Sequence, residues 1–159
     1  MSSKNAPKGL DSPIVPKVMK VASRLHVEAY RVTNGRVGGT WRIGSALRRG
    51  VPICLLTTRG RRTGRPRTLP LLYMRDGDRV VIVASQGGLP KHPMWYLNLR
   101  ADPRVVVRIG PDLRRMRART ADAGERAALW PRLLEVYADY GNYQSWTDRE
   151  IPVVICEPA

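Results

Sequence analysis

VPICLLTTRGRRTGRPRTLPLLYMRDGDRVVIVAS, residues 51–85, contains three apolar, β-rich runs joined by two turns. VPICLLTT (51–58) and TLPLLYMR (68–75) flank an arginine-glycine segment, and Asp76-Gly77-Asp78 turns the chain directly into RVVIVAS (79–85). An Asp-Gly pair between apolar runs signals a hairpin, because glycine takes the left-handed backbone of a tight strand connection. Strands that double back without an intervening helix build an antiparallel sheet, since parallel neighbours need a long crossover.

The same texture continues downstream. RVVVRIG (104–110) and LRRMRART (113–120) flank a Pro111-Asp112 turn, and the second run alternates apolar with basic residues as a half-exposed strand does. PVVICE (152–157) is a sixth strand. Between them, Pro93 suits the first position of a helix through MWYLNLRA, which Asp102-Pro103 ends. Asp122 and Glu125 have the spacing of a capping box for a helix running to about Tyr140. Pro131 lies inside it, so a kink there or two shorter helices are expected. Six strands with few helices give an α+β fold with a mostly antiparallel sheet, and closure into a barrel would remove its exposed edges.

Upstream, Ile14, Val18, Val21, Leu25, Ala29 and Val32 recur at steps of three and four, the mark of an amphipathic helix. At about 100° per residue, Lys17, Lys20, Arg24 and Arg31 fall within roughly 60° of one another, and they are expected opposite the apolar stripe. Such a helix either packs on the domain with a solvated basic back or lies on an anionic membrane. Three parts are therefore expected: a disordered leader (1–12), a basic helix and connector (13–50), and one barrel domain (51–159).

Composition narrows the function classes. No run approaches the ~18 apolar residues of a spanning helix, and residues 1–12 are polar, unlike a secretory signal. Cys54 and Cys156 stand alone in strand-like runs, and with His26 and His92 they have no metal spacing, so both read as buried thiols. The net charge of +15 is uneven: residues 1–50 carry +8, 51–121 carry +11, and 122–159 carry −4. An anionic partner is implied, whether nucleic acid, lipid or small ligand.

Three segments can carry chemistry. RGRRTGRPR (59–67) crowds five arginines with Gly60 and Gly64. Guanidinium forks match phosphate oxygens bidentately, and a glycine hairpin can aim backbone N–H groups at the same anion. It is neither a Walker loop nor a Rossmann turn. ASQGGLPKHPMWYLNL (84–99) ends a strand at Ser85, loops through Gln86-Gly87-Gly88, and opens a helix with Met94, Trp95 and Tyr96, whose aromatics either fill the core or stack on a flat ring. VYADYGNYQSWTDREIP (136–152) spaces Tyr137, Tyr140 and Tyr143 three apart around a helix end. No Ser-His-Asp set or carboxylate pair stands out, so a cofactor would have to bring the chemistry.

These segments together resemble the deazaflavin-dependent nitroreductase family of actinobacteria, from about Val51 to Pro158. TTxGRxxGxPR, PMWYLNLxAxP and YQSWTDRxIP are long ordered patterns, and the excess of arginine (23) over lysine (5) suits a GC-rich genome. The resemblance implies a split β-barrel that binds coenzyme F420, an 8-hydroxy-5-deazaflavin with a phosphate and an oligoglutamate tail. By matching position, Arg61, Arg62 and Arg67 would hold the phosphate, within a loop that includes Thr63, Gly64 and Pro66. Ser85, Gln86, Met94, Trp95 and Tyr96 would surround the ring. Tyr140, with Tyr137, Tyr143 and Ser85, would form the catalytic side. The family's best-known nitroreductase has a lysine at the position of Gln86, which puts reduction of nitro compounds in doubt. The activity implied is hydride transfer to an apolar acceptor, a quinone before a nitro compound, in the cytoplasm or at the inner face of the cell membrane. An FMN-dependent split barrel and a basic nucleic-acid module are the rival readings, and the second lacks aromatics within 59–67. A homodimer stays open.

Overall fold

The computed structural model describes residues 14–159, so the expected leader lies outside the described residues. The chain runs α1 (Ile14–Thr33), β1 (Thr40–Trp41), β2 (Val51–Arg59), β3 (Pro66–Leu72), β4 (Met74–Asp76), β5 (Arg79–Val83), α2 (Met94–Ala101), β6 (Arg104–Ile109), β7 (Asp112–Thr120), α3 (Ala123–Val136), α4 (Asp139–Ser145) and β8 (Val153–Pro158). Every strand pairing is antiparallel, in the order β1-β2-β6-β7-β8-β5-β4 with β3 on β2.

The expected strand 68–75 is two strands. Pairing passes from β2 to β5 at Tyr73, whose side chain turns into the core. β3 thus pairs on one side only, and Pro66 and Pro70 suit an edge strand because they donate nothing. This unpaired flank of β3 leaves the curled sheet open along that edge. Inside, Cys54, Leu56, Ile82, Val107, Met116 and Val154 fill the curled sheet, and α2 lays Trp95, Tyr96 and Leu99 over them. Outside, α3 and α4 bury Leu129, Leu133, Tyr137 and Tyr140 against Val81, Val83, Val153 and Ile155.

The capping box is present: the Asp122 carboxylate accepts from the Glu125 N–H, and the Glu125 carboxylate accepts from the Asp122 N–H. The helix passes through Pro131 and breaks later, at Tyr137–Ala138, so two helices form but not at the proline.

α1 departs from expectation. Its predicted stripe faces outward: Ile14, Val18, Val21, Leu25 and Val32 are 57–82% exposed. The buried side is Val27 and Tyr30, packed on Ile53 and Leu55. Tyr30 decides the orientation, because its hydroxyl accepts from the Gly110 N–H (2.8 Å) while its ring is buried. The basic residues flank the stripe at about 105° around the helix, rather than opposing it.

Candidate functional site

The arginine hairpin joins β2 to β3 through a six-residue loop, 60–65. Arg59 pairs with Pro66, and the Gly60 and Gly64 N–H groups donate to the Arg65 and Gly60 carbonyls (2.8 and 2.7 Å). Gly64 adopts φ +69°, a backbone other residues resist. Asn98 on α2 pins this loop from beneath: its buried side chain accepts from the Arg61 N–H (3.2 Å) and donates to the Thr58 hydroxyl (3.2 Å). Arg61, Arg62, Arg65 and Arg67 are all exposed, and none has a carboxylate within ion-pair distance among the described residues. Four guanidiniums without carboxylate partners stand on a braced turn, an arrangement that can cradle an anion.

The 85–88 loop is shaped by three consecutive residues with positive φ: Gln86 (44°), Gly87 (61°) and Gly88 (76°). Gln86 is one of two such non-glycine residues among those described, and its side chain is exposed. A Cβ on Gly88 would lie 2.6 Å from the Tyr143 carbonyl oxygen, so this loop touches the α4 backbone where no side chain fits. Met94 opens α2 at 58% exposure, whereas Trp95 and Tyr96 are buried. Of the three, only Met94 is open to a ligand. Tyr96 anchors the helix from below, with its hydroxyl 2.8 Å from that of Thr120.

The tyrosines form one cluster. Their ring centroids are 5.1 Å (Tyr137–Tyr140), 6.2 Å (Tyr137–Tyr143) and 6.4 Å (Tyr140–Tyr143) apart, and the Tyr137 and Tyr143 hydroxyls meet at 3.2 Å. Tyr137 and Tyr140 are buried and Tyr143 half-buried. Burial first, then the neighbouring Tyr143 hydroxyl, pushes the pKa of Tyr137 and Tyr140 far above the ordinary phenol value. These hydroxyls therefore stay neutral and act as hydrogen-bond donors rather than phenolates. Beside them, the buried Trp41 indole nitrogen has no hydrogen-bond partner among the described residues.

Two positioning residues, Arg149 and Asn98, lie within the quoted patterns YQSWTDRxIP and PMWYLNLxAxP, but nothing in those patterns showed their role. Arg149 reaches under the 84–92 loop and donates to the carbonyls of Ser85 (2.7 Å), Leu89 (2.9 Å) and Ala84 (3.2 Å) and to Nδ1 of His92 (3.2 Å). Accepting at Nδ1 requires a neutral imidazole, and burial, then Arg149 and Arg100, lowers the His92 pKa accordingly. Gln144 holds Arg149 in turn, donating to its carbonyl (2.8 Å) while accepting from the Ile151 N–H (2.9 Å). Arg149 sits between Asp148 and Glu150, a context that suggests a surface ion pair rather than a carbonyl clamp. Asn98 looked like an ordinary helix residue. Cys54 and Cys156 are buried free thiols, and burial pushes Cys156 up to about 12 and Cys54 higher still, so neither is a nucleophile.

α2 joins the cradle to the loop, and Gly88 joins the loop to the tyrosines. These contacts connect the hairpin, the 85–88 loop and the tyrosine cluster.

Comparison with known proteins gives this surface a context. The sequence model of the F420H(2)-dependent quinone reductase family matches residues 22–158. An F420H(2)-dependent quinone reductase of Mycobacterium tuberculosis is 46% identical over 135 residues, 83% of this chain and 87% of that protein. Among solved structures, an F420-H2 dependent reductase is 42% identical over 67% of this chain and 94% of its own, with a TM-score of 0.63. A chain described as a domain-swapped dimer is 35% identical over 89% of this chain and 99% of its own, with a TM-score of 0.65.

Proposed function

Because the chain belongs to the F420H(2)-dependent quinone reductase family, we propose that it uses the split of its barrel to bind reduced coenzyme F420 beside a quinone. The residues fit the cofactor. An anionic phosphate suits a cradle whose guanidiniums lack carboxylate partners, and Arg61, Arg62 and Arg67 would hold it, with Thr63, Gly64 and Pro66 shaping the turn. Ser85, Gln86 and Met94 would border the ring, with Trp95 and Tyr96 supporting from the core. Bound there, reduced coenzyme F420 supplies a hydride to the acceptor.

The chain's own contribution is placement. Arg149 holds the carbonyls of Ala84, Ser85 and Leu89 away from the cleft, which keeps the loop in one shape. Tyr143, half-buried, would offer its hydroxyl to a carbonyl oxygen of a quinone, with the buried Tyr137 and Tyr140 supporting it from beneath. The proton that completes the quinol arrives from Tyr143, the least buried of the three, and is replaced from water. The observation that carries this reading is the Gly88–Tyr143 contact, which brings a ring on the loop against the acceptor wall. A nitro compound would use the same donors without a charge from position 86.

No described helix is long and apolar enough to cross a membrane. The outward stripe of α1, flanked by Lys17, Lys20, Arg24 and Arg31, supports docking on anionic lipid, where a menaquinone-like acceptor resides. Val21→Glu with Leu25→Glu should abolish sedimentation with anionic vesicles and leave cofactor affinity intact. Sedimentation unchanged by both substitutions would remove lipid as the partner of this face.

The test of the cofactor reading is equilibrium binding of F420 followed by its fluorescence, with FMN in parallel. We expect F420 to bind at least ~10-fold more tightly, about 1.4 kcal/mol. Equal or tighter binding of FMN would overturn it.

A further inference from the structure

We infer that Asp139 is the solvent end of a proton path that runs through Tyr137 and restores the proton of Tyr143 after each turnover. The inference rests on Tyr143 being the proton donor to the quinone.

The path ends at a contact between segments far apart in sequence. The short turn Gly44–Ala46 lies between β1 and β2, and its buried Ala46 packs in the same cluster as Tyr137 and Tyr140. There the Ser45 N–H donates to Asp139 Oδ2 (3.0 Å), and the Asp139 N–H donates back to the Ser45 hydroxyl (3.3 Å). This exchange fixes the first residue of α4, and with it the carboxylate.

Gly44 shows how near that carboxylate is to the tyrosines. It adopts φ +63°, and a Cβ on it would fall 2.2 Å from Asp139 Oδ2 and 3.3 Å from the Tyr137 hydroxyl oxygen. Carboxylate and phenol thus flank one backbone position with room only for hydrogen. The Tyr137 hydroxyl lies 3.2 Å from that of Tyr143. Three oxygens are therefore connected, from a half-buried phenol through a buried one to a half-buried acid.

An acid at the first position of a helix ordinarily stabilises the helix dipole. Two features here go beyond that. After burial and the Tyr143 hydroxyl, the Asp139 carboxylate is the next cause that keeps Tyr137 protonated, so it acts on that hydroxyl directly. The Trp41 indole N–H also lies near this hydroxyl and has no hydrogen-bond partner among the described residues, so it can close on the oxygen while the proton moves.

As the acceptor takes up the hydride, its oxygen gains a proton and the Tyr143 O–H bond breaks. The Tyr137 proton moves to the Tyr143 oxygen. Asp139, protonated by hydronium or a buffer acid, passes that proton to Tyr137 and returns to the carboxylate. One solvent proton is consumed per quinol. A quinone seated on Tyr143 would cover that hydroxyl, which leaves Asp139 as the member of the chain that water reaches.

The experiment compares the first turnover with steady-state turnover, using reduced F420 and a soluble short-chain quinone. Asp139→Asn keeps the shape of the side chain and the bond from the Ser45 N–H but carries no proton. F420 affinity and the first turnover, which draws on a proton already on Tyr143, should stay within about twofold, while steady-state kcat falls about tenfold or more. In Asp139→Ala, added formate should restore turnover as its concentration rises, a response that a structural role would not give. Ser45→Ala keeps the N–H that holds the carboxylate and loses only the hydroxyl that caps α4, so its kcat should match the unsubstituted protein. In the cofactor-free protein, exchange of the Tyr137 hydroxyl proton with water, followed by NMR, should slow in Asp139→Asn and not in Ser45→Ala. Unchanged kcat or unchanged exchange in Asp139→Asn would overturn the inference. So would an equal loss of kcat in Asp139→Asn and Ser45→Ala, or a loss in Asp139→Ala that formate does not relieve, either of which makes the contact a structural brace. If the unsubstituted protein passes no hydride from reduced F420 to the quinone, the reading beneath the inference fails instead.

Discussion

Gly87 and Gly88 offer a controlled pair of substitutions. Both have positive φ (61° and 76°), so alanine at either incurs the left-handed backbone cost of about 1–2 kcal/mol. They differ in surroundings. A Cβ on Gly87 meets nothing within 4 Å, whereas one on Gly88 lies 2.6 Å from the Tyr143 carbonyl oxygen and 3.0 Å from its Cα. That oxygen belongs to the backbone of α4, so relief requires the loop and helix to move apart, at an overpacking cost of about 1–3 kcal/mol. Gly88→Ala should therefore melt below Gly87→Ala by a further ~2–12 °C, at about 2–4 °C per kcal/mol for a chain this long. Thermal melts followed by circular dichroism measure the gap, and F420 fluorescence measures the accompanying loss of affinity, which should be the larger for Gly88→Ala. If the two variants melt together, the loop does not press on α4, and the contact that joins ring loop to acceptor wall is absent.

Other substitutions probe the remaining parts. Arg61→Ala, Arg62→Ala or Arg67→Ala each removes a charge-assisted contact worth about 1.5–3 kcal/mol, so F420 should bind roughly ten- to hundredfold more weakly by fluorescence titration. Arg65→Ala should have a smaller effect, and a uniform response across the loop would mean a diffuse field without specific contacts. Tyr140→Phe removes only a hydroxyl that burial keeps neutral, so F420 affinity should stay within about twofold while quinone turnover falls. A changed affinity with unchanged turnover would place Tyr140 on the cofactor side. The buried thiols predict an alkaline limit. Their folded pKa values are raised, so the unfolded chain releases these protons first, and stability is lost as pH rises above about 8.5. Each thiol costs about 1.4 kcal/mol per pH unit there; urea melts of Cys54→Ala, Cys156→Ala should show a flatter decline between about pH 9 and 10.

Much of the fold was legible because it depends on local chemistry. The Asp76-Gly77-Asp78 turn, the Asp122/Glu125 capping box and the apolar strands are each decided by a few adjacent residues. The division at Tyr73 was not, because TLPLLYMR is continuously apolar and only the curl of the sheet decides where pairing passes from β2 to β5. Nor was the orientation of α1. Periodicity finds a stripe of six aliphatic residues, but one tyrosine with a hydrogen-bond partner in the β6–β7 turn turned the helix the other way. In the site, the arginine hairpin announced itself by charge density, whereas Arg149 and Asn98 act through partners distant in sequence. An arginine that binds carbonyls looks, in one dimension, like one that binds the acids on either side of it.

The central claim is hydride transfer from bound cofactor to quinone at this site, and a single-turnover stopped-flow experiment tests it most directly. The protein is loaded with reduced F420 and mixed with a soluble short-chain quinone, and return of the oxidised cofactor's absorbance is followed. The account predicts oxidation far faster than without protein, saturating with quinone concentration and slowed when the transferable hydride is replaced by deuterium. Oxidation at the protein-free rate, at every quinone concentration, would contradict it.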